Sequence, residues 1–553
     1  FFLLASYILC RKKYQKSKNM FLDSFSLLAL TLASANAFIF PTPTTTHISG
    51  PIQNVDVAKF KIVTSPTIDN SQHQRLAYAM EKYTNIIVSS ARVVLAAQAA
   101  PIALSPPLTT LTLHIEGNDA LENFPSIRTN QSYTLTVENG VAVGTATSQY
   151  GLIYALESFT QLIEDTGTLP GTTITIRDAP AYQWRGLMLD ARRRFIPVST
   201  VKNLLDTMAA VKLNVLHLHA SDMCRFGVES KKYPNLTASL TGIHAGFYTQ
   251  KDIADLVNYA ANAGIRVVPE FDVPGHSRGI RPLMSNGVQF CRGEDADDNQ
   301  LYNDPAGKTY GIVRDLLQEM STLFPDEVFN IGCDETGIVD DCTLNSTFSF
   351  ERKLFSDIAD VFNKTPAGWE EAAFDAGAAT SDTIVDAWAR HSAAEVIARG
   401  WRAIESKDSA FYMTSAVKGG PVGWKAMWYD ISTNVPPSNI SRLLGGEISM
   451  WTDTYCFSDQ CGAFGPKHAV PVGAPLFPPS MDEKFGKSIG GMIWPRGYVG
   501  AASFWSYDAK VDPSSDAFVS KIWTLNDKLV ARGSLVCPTN CTCDQLSACG
   551  TPY

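Results

Sequence analysis

Asn214-Val-Leu-His-Leu-His219, the helical stretch Thr249–Ala263, and Ile265-Arg-Val-Val-Pro-Glu-Phe271 follow one another in the chain. The first and last are short apolar runs of strand length, and the segment between them has helical character. Strand, helix and strand in that order make a βα unit, whose strands lie parallel. Both runs also end in groups that carry chemistry, His217 and His219 in one, Glu270 and then Asp272 in the other.

The same alternation extends in both directions. Upstream, Gly186–Leu189 precedes a helix predicted over Ser199–Val211. Downstream, Pro305–Phe324 reads as a helix, followed by strands at Val328–Ile331, Thr365–Trp369, Thr383–Trp388, Arg402–Ile404 and Leu444–Met450. About eight strands predict a (β/α)8 TIM barrel. An open doubly wound sheet is the alternative, but no Gly-rich phosphate loop follows any strand. Before Trp184 the texture differs. Val55–Val63 and Leu111–Ile115 alternate like strands, and Gln72–Leu95 and Tyr150–Ile163 read as helices. Asn139-Gly140 marks a hairpin between Tyr133–Val137 and Val141–Thr145, and Thr172–Ile176 reads as a last strand. The expected fold class is α/β, a barrel preceded by a smaller α+β domain. The expected divisions are an upstream segment and signal peptide over 1–37, an accessory domain over 38–180, the barrel over 181–535 and a Cys-rich tail over 536–553. Pro41-Thr-Pro-Thr-Thr-Thr46 reads as a linker.

The chain of 553 residues carries a net charge of −9. Residues 1–37 hold five bases and one acid, so the remainder is still more acidic. No basic tract compensates, which excludes a nucleic-acid partner. Met20 opens a short apolar core that ends in Ala35-Asn36-Ala37, a signal-peptide pattern with a mature start near Phe38. An uncleaved anchor is the alternative, though the core is short for a span. No later stretch is long and apolar enough to cross a membrane. Of eleven cysteines, ten lie beyond residue 37, with Cys537, Cys541, Cys543 and Cys549 crowding the end. With six N-x-S/T sequons, at Asn130, Asn235, Asn345, Asn363, Asn439 and Asn540, they fit the secretory route, lysosomal or extracellular. A zinc knuckle is the rival reading of the last four cysteines.

In a barrel the active site forms at the C-terminal strand ends. The groups there are Asp190-Ala-Arg-Arg-Arg194, with Arg185 beside the same strand, His219 and Asp222, Glu270 to His276, Asp334-Glu335, Trp369-Glu-Glu371, Trp388, and Trp451-Thr-Asp453. Carboxylates, a His, an Arg and several indoles at one mouth suit a sugar, whose ring faces stack on Trp and whose hydroxyls take charged groups.

These stretches resemble glycoside hydrolase family 20. The motifs are Trp184-Arg-Gly-Leu-Met-Leu-Asp190, Lys212-Leu-Asn-Val-Leu-His-Leu-His219, Gly264 through His276, Ile331-Gly-Cys-Asp-Glu335, Gly445-Gly-Glu-Ile-Ser-Met-Trp451 and Trp494-Pro-Arg-Gly497 with Trp505. The resemblance implies an exo-acting β-N-acetylhexosaminidase that retains configuration through attack by the substrate's own 2-acetamido oxygen. It implies Glu335 as general acid/base and Asp334 as the group that orients the acetamido N–H. Tyr412 matches the tyrosine that holds the acetamido oxygen. Trp369, Trp388 and Trp451 match the walls of the N-acetyl pocket, Arg185 and Asp453 the holders of the outer hydroxyls, and Asp222 and His276 the polar partners beneath the acid. A water-excluding pocket is expected to raise the pKa of Glu335. The partner expected is a glycan or chitin oligosaccharide, with no cofactor, no metal and no membrane span after signal cleavage; a homodimer is left open. A Cys291–Cys342 bridge is implied too, while Cys456 and Cys461 are close enough to close a small loop.

The chain departs from the family pattern at Leu218 (commonly Trp), Met223 (Asp), Asn330 (His), Cys333 (Gly) and Asp453 (Glu), changes expected to bear on substrate choice. Two other functions compete. His217-x-His219 could begin a metal site, but no further ligand set has metal spacing. A non-catalytic glycan binder would need neither Asp334 and Glu335 nor Tyr412.

Overall fold

The computed structural model describes residues 38–536 apart from 67, 70, 95–105, 118–121, 239, 241–245, 293–298, 338–341, 414–422 and 453–488. A six-stranded sheet builds the N-terminal domain. Its spatial order is Thr45–Ser49, Thr173–Asp178, Tyr133–Glu138, Val141–Ala146, Thr110–Ile115 and Lys61–Thr64. The Asn139-Gly140 hairpin forms as expected, with both residues at positive φ. The stretch read as a linker is corrected in part. Thr45–Ser49 is an antiparallel edge strand on Thr173–Asp178, and the Thr44 N–H caps the Asp178 carboxylate. Helices Gln74–Val94 and Gln149–Leu162 cover the sheet. Every residue of the second is buried, because it lies between the sheet and the rest of the molecule.

Eight parallel strands close the barrel: Trp184–Asp190, Val215–Asp222, Arg266–Phe271, Val328–Asn330, Thr365–Trp369, Ile384–Ala387, Arg402–Glu405 and Leu443–Met450. Closure is direct. The first strand pairs with the second through Gly186 and Val215 and with the eighth through Trp184 and Gly445. Side chains alternate between lumen and exterior along each strand. The inward set begins with Trp184, Val215, Val268, Val328, Ala367, Ile384, Ile404 and Leu444, one residue from every strand, packed as an apolar plug at the N-terminal end. The outward set, including Leu187, Leu216, Leu218 and Val267, packs with the surrounding helices in the main core.

A buried ionic cluster welds the two domains. Lys212 Nζ, which follows the first barrel helix, donates to Asp178 Oδ2 and Tyr133 Oη, both at 2.9 Å. It lies 4.5 Å from the centre of the Trp505 ring, whose Nε1 donates to the other oxygen of Asp178 at 2.9 Å. All four groups are buried. A buried ion pair contributes little net stability when whole, but removing one partner costs about 3–5 kcal/mol.

Candidate active site

Two residues above the plug, the inward alternation reaches His217, Glu270, Asn330, Trp369, Asp386 and Ser406; two more reach His219, Asp272 and Trp388. The lumen therefore turns from apolar to ionic to aromatic along its axis. Gly186 makes room for the ionic layer, since a Cβ there would meet Glu447 Oε2 at 2.4 Å.

At the mouth, Trp369, Tyr412 and Trp451 form a buried cluster with Met188, and Trp388 packs on it from the rim. Trp388 stacks parallel to Tyr412 with centroids 5.9 Å apart, and Trp369 lies 5.9 Å from Trp451. Two of the indoles are held by carboxylates. Trp369 Nε1 donates to Glu270 at 2.8 Å and Trp388 Nε1 to Glu371 at 3.2 Å, and the Trp451 ring packs on Tyr412 with centroids 6.3 Å apart. Glu370 accepts the backbone N–H groups of Trp388, Ala389, Arg390 and His391, which fixes the loop that carries Trp388. Burial pushes the Tyr412 hydroxyl well above its ordinary range, so it keeps its proton. The hydroxyl is therefore a proton donor at the box.

Asp334 and Glu335 follow the fourth strand in a loop of left-handed backbone: Gly332, Cys333 and Glu335 all have positive φ, between 51° and 66°. Gly332 is required, because a Cβ would lie 2.2 Å from Asp272 Oδ1. Cys333 accepts the strain of a non-glycine residue there and is anchored by its Sγ–H, which donates to the Val273 carbonyl at 3.0 Å. The turn sends the two carboxyls to different environments. The Asp334 side chain is 12% exposed and the Glu335 side chain 60%. His276 reaches both, with Nε2 at 3.2 Å from Glu335 and 3.7 Å from Asp334, and its Nδ1 is 3.5 Å from Asp222.

The expected elevation of Glu335 is corrected. The His276 hydrogen bond holds its carboxyl below the ordinary range, against a smaller opposing effect of partial burial. Burial instead raises Asp334 and, further, Asp272, whose neighbour Asp334 adds to the effect.

Arg185 is corrected too. It is the second residue of its strand, next to inward Trp184 and therefore outward, at the end of the barrel away from the mouth. Its guanidinium is wholly buried on the carbonyls of Tyr182 and Lys212 and on Gln131 and Tyr154 of the small domain. It cannot reach a sugar at the mouth. The arginine that does lie there is Arg193, 3.0 Å from Asp222, 3.3 Å from Asp190 and 5.0 Å from the centre of the Trp451 ring. The run Asp190 to Arg194 signalled it, but nothing in the sequence says which of three arginines turns inward. Leu218 faces the helices, so its departure from the family does not touch the mouth. Asp453, Cys456 and Cys461 and the four last cysteines lie outside the described residues. The Cys291–Cys342 disulfide is present. Glu270, Glu370 and Glu371 stand among the groups at the strand ends, but the sequence assigns them no role, because the indoles that Glu270 and Glu371 hold and the loop that Glu370 fixes lie on or just past other strands.

Three buried sets could bring ligand atoms to a metal: His217 with Asp386 and Glu447, His219 with Asp222 and Asp272, and His276 with Asp272 and Asp334. In the second set His219 has both nitrogens hydrogen-bonded to carboxylates, and a ring protonated on both has no lone pair to give. A cavity of about 800 Å³ lies elsewhere, between the small domain's helices and the helix Asp516–Ala531. Four of the charges along it are paired, Glu157 with Arg532 at 2.8 Å and Lys82 with Asp206 at 2.5 Å.

The profile of glycosyl hydrolase family 20, catalytic domain, matches residues 182–462, and one described as beta-acetyl hexosaminidase like matches residues 39–162. The chain is 27% identical over 456 residues to beta-hexosaminidase subunit A1 of Dictyostelium discoideum, covering 77% of this chain and 82% of that one. It is 29% identical over 401 residues to the mouse beta-hexosaminidase subunit beta, covering 68% and 74%. Its fold superimposes on a Flavobacterium johnsoniae chitobiase with a TM-score of 0.66 at 24% identity, over 90% of this chain and 73% of the other. A barrel closed over eight strands, with this mouth and these matches, belongs to glycosyl hydrolase family 20.

Proposed function

We propose that the chain is an exo-acting β-N-acetylhexosaminidase that releases terminal N-acetylglucosamine or N-acetylgalactosamine from the non-reducing end of glycans or chitin oligosaccharides, with retention. The observation that carries this reading is the aromatic box of Trp369, Trp388, Tyr412 and Trp451, closed to one side by Asp334 and edged by the exposed Glu335. A box of indole faces accepts an acetamido methyl and a pyranose face. Tyr412 donates to the acetamido oxygen and Asp334 accepts from its N–H, which aims that oxygen at C1 of the same sugar. As the oxygen attacks C1, Glu335 gives its proton to the departing glycosidic oxygen. Asp334 balances the charge of the oxazolinium ion. Water then adds to C1, Glu335 takes its proton, and the ring opens to the retained sugar. Arrival of a sugar displaces water from Glu335 and favours its protonated form, with His276 Nε2 at 3.2 Å placed to pass it a proton.

Arg193 beside Trp451 stands in for Arg185 as the cation at the sugar, and Asp453 is assigned to an outer hydroxyl. A secreted or lysosomal setting is supported by the signal pattern and by the sequons, of which Asn130, Asn345 and Asn363 are exposed. The test is a pair of variants. Glu335→Gln lowers activity on chitobiose by about 10²–10⁴-fold and much less on a nitrophenyl glycoside, whose leaving group needs no proton. Asp334→Asn lowers both alike, since both pass through the cation. A Glu335→Gln enzyme with near-normal turnover of chitobiose would falsify the assignment.

A further inference from the structure

A string of alternating carboxylates and imidazoles climbs the barrel axis to the acid. Glu447 Oε1 lies 2.7 Å from His217 Nδ1, and His217 Nε2 lies 3.1 Å from Glu270 Oε2. The same Glu270 oxygen is 2.5 Å from His219 Nδ1, and His219 Nε2 is 2.8 Å from Asp222 Oδ2. Asp222 passes the contact to His276, and His276 to Glu335. Every side chain from Glu447 to Asp222 is closed to solvent.

An imidazole can present a proton from one nitrogen when neutral and from both only when charged. His219 faces a carboxylate oxygen with each nitrogen at hydrogen-bond distance, so a neutral ring would set a lone pair against a buried carboxylate. The geometry thus requires an imidazolium, a fixed positive charge between Asp222 and Glu270. Around it stand Asp190 from the first strand, Asp272 just past the third, the edge-on Trp451 ring just past the eighth, and Arg193 and His276 through Asp222. The direction of titration agrees: burial alone would lower His219, and Glu270 and Asp222 overcome it to hold it at about 9.

We propose that His219 is a positioning residue for the reaction, a buried imidazolium that sets the charge of the Asp222–His276 pair and through it the protonation of Glu335. Glu270 serves two parts of the site at once, because its other oxygen holds Trp369 Nε1. The charge of the acid's support and the placement of the box wall therefore depend on one side chain. The proposal rests on Glu335 being the acid.

Two measurements test it. Nitrogen NMR of the wild-type protein labelled at histidine should show, at neutral pH, buried rings protonated on both nitrogens and resistant to titration up to about pH 9; the ring whose protons lie against the Trp451 indole is His219. A buried ring carrying a single proton at that position overturns the proposal without any variant having to fold. In kinetics, His219→Gln removes one positive charge from the interior. Both limbs of the pH–rate profile should move to higher pH, by on the order of one unit, as expected for a single charge a few ångströms away in a partly buried site. A lower rate on an unmoved profile would mean that His219 only packs. If that occurs while Glu335→Gln still discriminates between leaving groups, this inference fails and the assignment of the acid stands; if Glu335→Gln shows no discrimination, the assignment itself has failed.

Discussion

Single residues divide here by which way the strand turns them. Arg185 and Trp184 are neighbours, yet one packs outside against the small domain and the other closes the lumen. Arg185→Ala should therefore lower the melting temperature by several degrees while KM for a nitrophenyl substrate stays within about twofold, because the lost hydrogen bonds are buried and remote from the sugar. A selective rise in KM would return Arg185 to the substrate. Tyr412→Phe tests the opposite kind of residue. It keeps the ring stacked on Trp388 and deletes one donor, so kcat should fall by about 10²–10³-fold, the usual cost of one well-aimed donor, with KM little changed. The mouth residues were legible because strand ends collect polar groups after apolar runs. Arg185 was misread because its motif was taken as a unit, when the period of two already turned it outward and its place near the strand start put it at the far end. The pKa of Glu335 was misread because a carboxyl beside an acid was expected to be buried, whereas the left-handed turn at Glu335 lifts it into solvent and onto His276.

Elements were read where burial imposes a period and missed where it does not. All eight barrel strands are buried on both faces, so they stood out as apolar runs, whereas Thr45–Ser49 is an edge strand with four of its five residues exposed and shows no alternation. Only its pairing with Thr173–Asp178 makes it a strand, and pairing partners 120 or more residues apart leave no local trace. The segment between Cys291 and Cys342 is another element-scale unit. It carries the fourth strand and the Asp334-Glu335 turn inside a covalent loop with a sequence separation of 51. Replacing both cysteines by serine should cost up to about 4 kcal/mol by loop-closure entropy, read as a lower denaturation midpoint. The variant should retain its leaving-group selectivity, since the His276 contact of Glu335 does not involve either cysteine.

For the molecule as a whole, the charges point to an acid optimum of stability. His219 titrates at about 9 when folded against 6.5 when free, so its contribution is complete below pH 6.5 and is lost as pH rises through 9. Burial holds Glu351 at about 8 against 4.5, and the stability linked to its protonated form drains away between those values. Asp222 is held well below its ordinary value despite burial, chiefly by Arg193 and His276, so its contribution is present above about pH 4 and disappears only in stronger acid. The melting temperature should therefore peak near pH 4–6 and decline towards pH 9; a flat profile across that range would contradict these directions. The cluster of Lys212, Asp178, Tyr133 and Trp505 has a different kind of consequence, in ancestry. A barrel that traded its small domain for another would have to receive a carboxylate in place of Asp178 and acceptors in place of Gln131 and Tyr154, or lose Lys212 and Arg185 in the same event. Each intermediate in such an exchange leaves a buried cation without its counter-ion. In this chain the two domains are thus tied by buried charge, and neither can be exchanged alone without that cost.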